Sequence, residues 1–508
     1  MKPIHAISFL CLPAFLSAAP PKVDRMFSDH MVIQQDLAAP VWGTAVAGEE
    51  ITVQFRGKTK TTKAGEDGKW SIKLDPSKVG EASELKVSTK DGSVVFKDVL
   101  VGEVWIGSGQ SNMAGGAGGY ARNDEVLSKN LEAGPYPGLR LYTRGGWNVA
   151  DAQTGAGFSA IHFSFGLELH KSLGIPVGLM VGAVGGTPSG MWLSPEMAEG
   201  DSELSKLFQE ANGISIADYS AGKGDYHEKW KAEEEKAKAE GKKAPRPPIK
   251  IGSLYERHIQ YMMPYGIRGV LWDQGESKTQ IPGVSDQYVV MNALVNGWRK
   301  TWGQGDFPFL HVQKPSGGVA PWDPENPTNK GAKAYRPNKP QAGSTTPHSL
   351  AYQLDHVKMG TIPNAPLVPA IDLGVGIHPA CKSGYGARAC QVALGAVYGK
   401  DVAVSGPVYK SHKLEGDKIR ISFDHVGKGL AFRHADSLEG FEIGDGKKWA
   451  WAKAVIEGDT VVVSSPDIPN PKHVQYAFFR SPEYANFFNK DGLPAQPFTT
   501  VPWNRKGN

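Results

Sequence analysis

Apolar side chains alternate with polar ones at Ile51, Val53 and Phe55, and again at Trp70, Ile72 and Leu74, the period of a strand buried on one face. Glu66-Asp67-Gly68 and Asp91-Gly92 supply turns between such runs, so residues 22–98 predict a small N-terminal β-sandwich. The pattern then changes. Val104-Trp105-Ile106 is a continuous apolar run ending in glycine, Val177 to Val184 and Gly269 to Trp272 are two more, and Phe165, Leu169 and Leu173 recur between them at helical spacing. Helices alternating with strands covered on both faces predict a parallel α/β sheet over residues 99–400. Functional residues in such a sheet belong at the carboxyl ends of the strands. From residue 401 the two-residue period returns at Ile419, Ile421 and Phe423, with Val461–Val463 and Tyr476–Phe479 as further strands, which predicts a C-terminal β domain over residues 401–508.

Two insertions interrupt the α/β region. Residues 227–250 begin as a charged helix, with Glu234 and Lys238 one turn apart, and end Pro-rich. Interspersed glutamates make this a solvated helix rather than a basic surface for an anionic partner. Residues 313–348 are rich in Pro, Gly and Asn and predict a long loop that could cover a substrate site.

The chain has 508 residues, too many for one core. Its 56 basic and 52 acidic side chains leave a net charge of +4, so nothing calls for nucleic acid or an anionic membrane as partner. Lys2, the apolar stretch Ile4 to Leu16 and the small residues Ser17-Ala18-Ala19 read as a cleaved signal peptide over residues 1–19, and hence as a secreted or periplasmic protein. That stretch is shorter than the ~20 residues that span a bilayer, and bulky Leu10 argues against a lipid anchor at Cys11. Cleavage leaves Cys381 and Cys390, too far apart on one continuous helix to form a disulfide unless Gly384 and Gly386 break it. No Cys/His spacing suits zinc, and no metal is expected.

Four stretches carry candidate chemistry. In Gly107-Ser108-Gly109-Gln110-Ser111-Asn112-Met113 a serine stands on a glycine-rich turn directly after a buried strand, where its hydroxyl can attack and its amide can meet an oxyanion. Met113 occupies the place of the second glycine in G-x-S-x-G, so this is not the α/β-hydrolase elbow. The second stretch runs from a strand into Gly185-Gly186-Thr187, whose amides could complete an oxyanion hole. In the third, Trp272-Asp273-Gln274-Gly275-Glu276-Ser277, the Gln274 amide could donate to an oxyanion and Glu276 could position substrate. The fourth holds Asp372 and His378-Pro379 ahead of a helical run from Gly386 to Tyr398. A histidine there, with an ordinary pKa near ~6.5, suits a general base; His162 and His170, on a helical run, read as packing or surface residues.

Together these stretches resemble the sialate O-acetylesterase family of the SGNH hydrolases. The family's G-Q-S-N-M is matched by Gly109 to Met113, its G-G-T by Gly185 to Thr187, its W-x-Q-G-E-S by Trp272 to Ser277, and its H-P-x-x-K by His378, Pro379 and Lys382. The resemblance extends from about Val23 to Phe498. It implies a flavodoxin-like α/β domain flanked by N-terminal and C-terminal β modules. It also implies a serine esterase that removes O-acetyl groups from glycans, first of all sialic acids, without metal or cofactor. The implied roles are Ser111 as nucleophile, His378 as base, and Gly185, Gly186, Gln274, Glu276 and Asn112 as oxyanion or substrate contacts. Two departures stand beside the motif, Asp273 for Tyr and Lys278 for Asn in the family's W-Y-Q-G-E-S-N, and they keep another acetylated glycan such as acetylxylan open as substrate. The alternative from a different class is a glycan-binding protein without catalysis. Many SGNH enzymes carry an aspartate three residues before the histidine, where this chain has Val375. The acid orienting His378 is therefore expected to be Asp372, with Glu276, Asp273 or a bare Ser-His dyad as alternatives.

Overall fold

The computed structural model describes residues 20–143 and 145–502, and the expected signal peptide lies outside them. The central sheet runs Gly146–Ala150, Tyr136–Thr143, Val177–Ala183, Gly92–Gly109, Gly269–Asp273, Phe309–Val312, Leu367–Val368. From Tyr136–Thr143 onward every neighbouring pair is parallel; Gly146–Ala150 closes one edge as an antiparallel hairpin. Gly92–Gly109 comes first in the chain yet lies in the middle. Its three successors build one side of it, and the later strands build the other. Strand order thus reverses at this strand, which opens a crevice beyond its carboxyl end.

Burial on both faces accounts for the continuous apolar runs. Val104, Ile106, Val270 and Trp272 join one core with the N-terminal strands and helix Gln287–Trp302. Trp105, Leu179 and Leu271 join the other with helices Ala160–Leu173 and Lys382–Ala396. The second helix passes Gly384 and Gly386 without a break, and Cys381 and Cys390 are both free and buried.

The N-terminal half of Gly92–Gly109 pairs antiparallel with Ser83–Thr89, which pairs with Glu50–Phe55. A second, three-stranded sheet contains Lys22–Val23, Pro40–Thr44 and Lys69–Lys73. One continuous strand therefore serves both the β region and the parallel sheet, and residue 98 falls inside it. At the other end, two four-stranded antiparallel sheets enclose a separate core that includes Ile419, Ile421, Phe441 and Val461. A parallel α/β centre with antiparallel β structure at both ends agrees with the expected fold class. The charged insertion forms helix Asp225–Ala239 with no buried residue.

Candidate active site

The strand Gly92–Gly109 stays paired to its last residue. Gln110 N–H donates to the Asp273 carbonyl (2.9 Å) and Val184 N–H to the Gly109 carbonyl (3.1 Å). Only glycine fits at 109, where φ is +125° and a Cβ would lie 2.1 Å from the Asp273 carbonyl oxygen. The chain then turns into the short helix Ser111–Ala114. Ser111 opens that helix, so its N–H has no acceptor within it. The loop after Val177–Ala183 runs alongside, and a Cβ on Gly185 would stand 3.5 Å from Ser111 Cβ. Gly186 follows in the left-handed region at φ +70°.

Ser111 Oγ lies 2.8 Å from His378 Nε2, across 267 positions of sequence. In this geometry the hydroxyl can donate its proton to the ring. His378 sits on an exposed loop that includes Gly374 and Gly376, both with positive φ. His162, by contrast, is fully buried and bonded to the Trp105 carbonyl, and burial lowers its pKa to about 4.

Three expected roles are corrected. Asp372 does not orient His378: its two oxygens accept from Arg388 at 3.1 and 2.9 Å. The guanidinium, on helix Lys382–Ala396, meets this buried carboxylate fork to fork, which is the strongest pairing open to it. Gln274 is not free for an oxyanion either. Its amide nitrogen donates to the Thr187 and Lys278 carbonyls (3.3 and 3.2 Å), and its oxygen accepts from Gln287 (3.0 Å). Fully buried, it ties the Gly-Gly-Thr and Gln-Gly-Glu loops together. Asn112 is also occupied, since its nitrogen donates to Glu276 Oε1 (3.0 Å) and the Ile377 carbonyl (3.1 Å) while its oxygen accepts from Lys382 Nζ (2.6 Å).

The family model described as carbohydrate esterase, sialic acid-specific acetylesterase, matches residues 101–362. The chain belongs to this family. The match takes in Ser111, Gly185, Gly186, Gln274 and Glu276 and ends before Asp372 and His378. Among relatives, the sialate O-acetylesterase of Rattus norvegicus is 26% identical over 337 residues, covering 56% of this chain and 58% of the relative. That of Mus musculus is 26% identical over 439 residues, covering 76% and 75%. The chain thus spans little more than half the length of the rat relative. A crystal structure of a carbohydrate acetylesterase from Xanthomonas citri superposes with a TM-score of 0.73 at 27% identity, covering 95% of this chain and all of that one.

In this member of the carbohydrate esterase family, a buried ionic cluster underlies the serine turn. Lys314 Nζ lies 3.0 Å from Asp273 Oδ1 and 3.3 Å from Glu276 Oε1. Burial pushes the Asp273 carboxyl upward against the pull of Lys314. Burial works to lower Lys314, but the two carboxylates outweigh it and hold the ammonium above its ordinary value. Lys382 has no such direct partner; burial, only partly offset by Asp273, lowers it to about 7. Among the described residues no carboxylate is hydrogen-bonded to His378, neither Asp372 nor the alternatives Glu276 and Asp273. Asp273, one of the two departures from the family motif, faces this cluster rather than solvent. Lys314 escaped sequence reading because it lies in the Pro-rich segment read as loop; its position just after the short strand Phe309–Val312 was the available signal.

Proposed function

We propose that this protein is a carbohydrate O-acetylesterase working through a Ser111–His378 dyad, with O-acetylated sialic acids as its first substrate. The observation that carries this reading is the 2.8 Å contact between Ser111 Oγ and His378 Nε2 at the reversal point of the sheet. Family membership and the likeness to the Xanthomonas citri acetylesterase support the substrate class. As Ser111 Oγ attacks the acetyl carbonyl carbon, its proton passes to His378 Nε2. The oxyanion is met by the Ser111 amide and an amide of Gly185 or Gly186. His378 returns the proton to the departing sugar oxygen. Water, deprotonated by the same ring, then cleaves the acetyl-serine to acetate and free Ser111. The N-terminal pattern supports export to the periplasm or beyond, and no helix among the described residues is long and apolar enough to cross a membrane.

The test is acetate release from a panel of O-acetylated sialosides and acetylated xylans, read beside p-nitrophenyl acetate. Sialosides are expected to turn over fastest. Hydrolysis of none of these esters by the folded protein would leave glycan binding without catalysis as the surviving reading.

A further inference from the structure

Beside the Ser111–His378 pair, past the Gly376–Ile377 turn, a cleft of about 710 Å³ opens, lined in part by Glu276, Tyr352, Gln353, Ile377 and Arg480. Its volume falls in the range of small-molecule sites. Three solvent-shielded polar atoms on the lining residues have no hydrogen-bond partner: Glu276 Oε2, Tyr352 Oη and Gln353 Oε1. Buried polar atoms are nearly always paired in folded proteins, so three orphans on residues that line one cleft call for a partner from outside the chain. Two of the three can only accept, which calls for a ligand that brings donors. The local backbone is shaped for this arrangement. A Cβ on Gly275 would collide with the Tyr352 hydroxyl and crowd the His356 ring, so the glycine of the Gln-Gly-Glu turn is what lets Tyr352 stand beside Glu276.

Phe479, Arg480 and Ser481 of the C-terminal β region also line it, with Lys333 of the preceding loop. Lys333 is neutralised by Glu483 (2.5 Å), whereas Arg480 is exposed and pairs with no carboxylate among the described residues. A planar guanidinium matches a carboxylate through two parallel bonds. Glu276 links this cleft to the chemistry, since its other oxygen holds Asn112, which holds the Ile377 carbonyl next to His378.

We propose that this cleft is the sugar subsite, with Glu276, Tyr352 and Gln353 taking ring hydroxyls and Arg480 taking the carboxylate of an acidic sugar. This rests on the reading of Ser111 as an esterase nucleophile. It makes the C-terminal β region part of substrate selection.

Three esters are compared in the wild type, Tyr352→Phe and Arg480→Gln: an O-acetylated N-acetylneuraminic acid, an O-acetylated methyl xyloside and p-nitrophenyl acetate. Arg480→Gln is expected to lower kcat/KM for the acidic ester by about tenfold to a hundredfold relative to the neutral sugar ester, through KM. Tyr352→Phe is expected to lower both sugar esters relative to p-nitrophenyl acetate. Equal effects of Arg480→Gln on acidic and neutral sugars would overturn the role of Arg480. Equal effects of both variants on all three esters would overturn the subsite. Calorimetric binding of N-acetylneuraminic acid, expected to weaken in Arg480→Gln, tests the cleft separately from hydrolysis. Unchanged binding there would refute the carboxylate contact even if the esterase reading also failed.

Discussion

Asn112 Nδ2 donates to the Ile377 carbonyl at 3.1 Å, so the residue after Ser111 holds the residue before His378. The two members of the dyad lie on loops that follow different strands of the sheet, and this bond ties those loops together. Asn112→Ala removes it and leaves the buried Lys382 ammonium without its acceptor. We expect kcat on p-nitrophenyl acetate to fall by about tenfold or more while KM changes little, because the loss lies in alignment rather than binding. An unchanged kcat in folded protein would show that the His378 loop holds its place unaided.

Ser111→Ala is expected to abolish acetate release by several orders of magnitude and to leave the melting temperature within a few degrees of wild type. Near wild-type turnover by the folded variant would sink the mechanism.

Asp372→Ala separates two kinds of carboxylate. As the partner of Arg388 it should cost stability, on the order of 3–5 kcal/mol for a buried pair broken on one side. The rate of the surviving folded protein should drop far less than the ~10⁴-fold seen when a triad aspartate is lost. Denaturant unfolding beside steady-state kinetics reads both quantities. A rate loss near that size with unchanged stability would return Asp372 to the dyad.

Gln274→Ala should behave as the loss of a strut. It leaves the Thr187 carbonyl and the Gln287 amide without their buried partner, a cost of about 1–3 kcal/mol per unsatisfied group, while the Lys278 carbonyl keeps the Ser189 N–H. The fall in kcat is expected to stay below the ~10²–10³ typical of an oxyanion donor. A larger fall without loss of stability would restore that role.

Lys382 gives a pH signature. Its folded pKa of about 7 lies below the ordinary 10.5. Between those values the unfolded chain holds a proton that the folded chain does not, so the contribution of Lys382 to stability rises with pH across that window and is poorest below it. Asp273, Glu276 and Lys314 face the same cluster, so a comparison with Lys382→Met is needed to isolate the effect. The melting temperature of wild type minus that of the variant should grow between about pH 6 and 9. A flat difference would mean that the ammonium keeps its proton throughout.

Much of this site is legible in the sequence, and the boundary of legibility has a physical basis. Ser111 and Gly185 stand just past strand ends, and a buried apolar run stopping at glycine marks a strand end in sequence, whereas His378 lies on a loop ten residues beyond Leu367–Val368 and is marked by the proline that follows it. What a side chain does there depends on its neighbours across the fold. Asp372 reads as the partner of His378 because the two share one short segment, but the turn of helix Lys382–Ala396 that carries Arg388 takes its carboxylate. Gln274 reads as an exposed donor until Gln287, on a later helix, is seen to cap it. Lys314 needed the strand Phe309–Val312, too short to stand out from the loop that follows.

The strand Gly92–Gly109 also constrains how such a protein can be reshuffled. Its first half belongs to the N-terminal β structure and its last residue precedes the Gln110–Ser111 turn by one peptide bond. Val32–Gln34 pairs with its middle, at Leu100 to Gly102. A recombination joint at residue 99 would therefore sever the serine-bearing strand from half of its hydrogen-bonded support. Inheritance of the serine turn is coupled to inheritance of the β structure in front of it, because Val32–Gln34 and Ser83–Thr89 both pair with the strand that carries the turn.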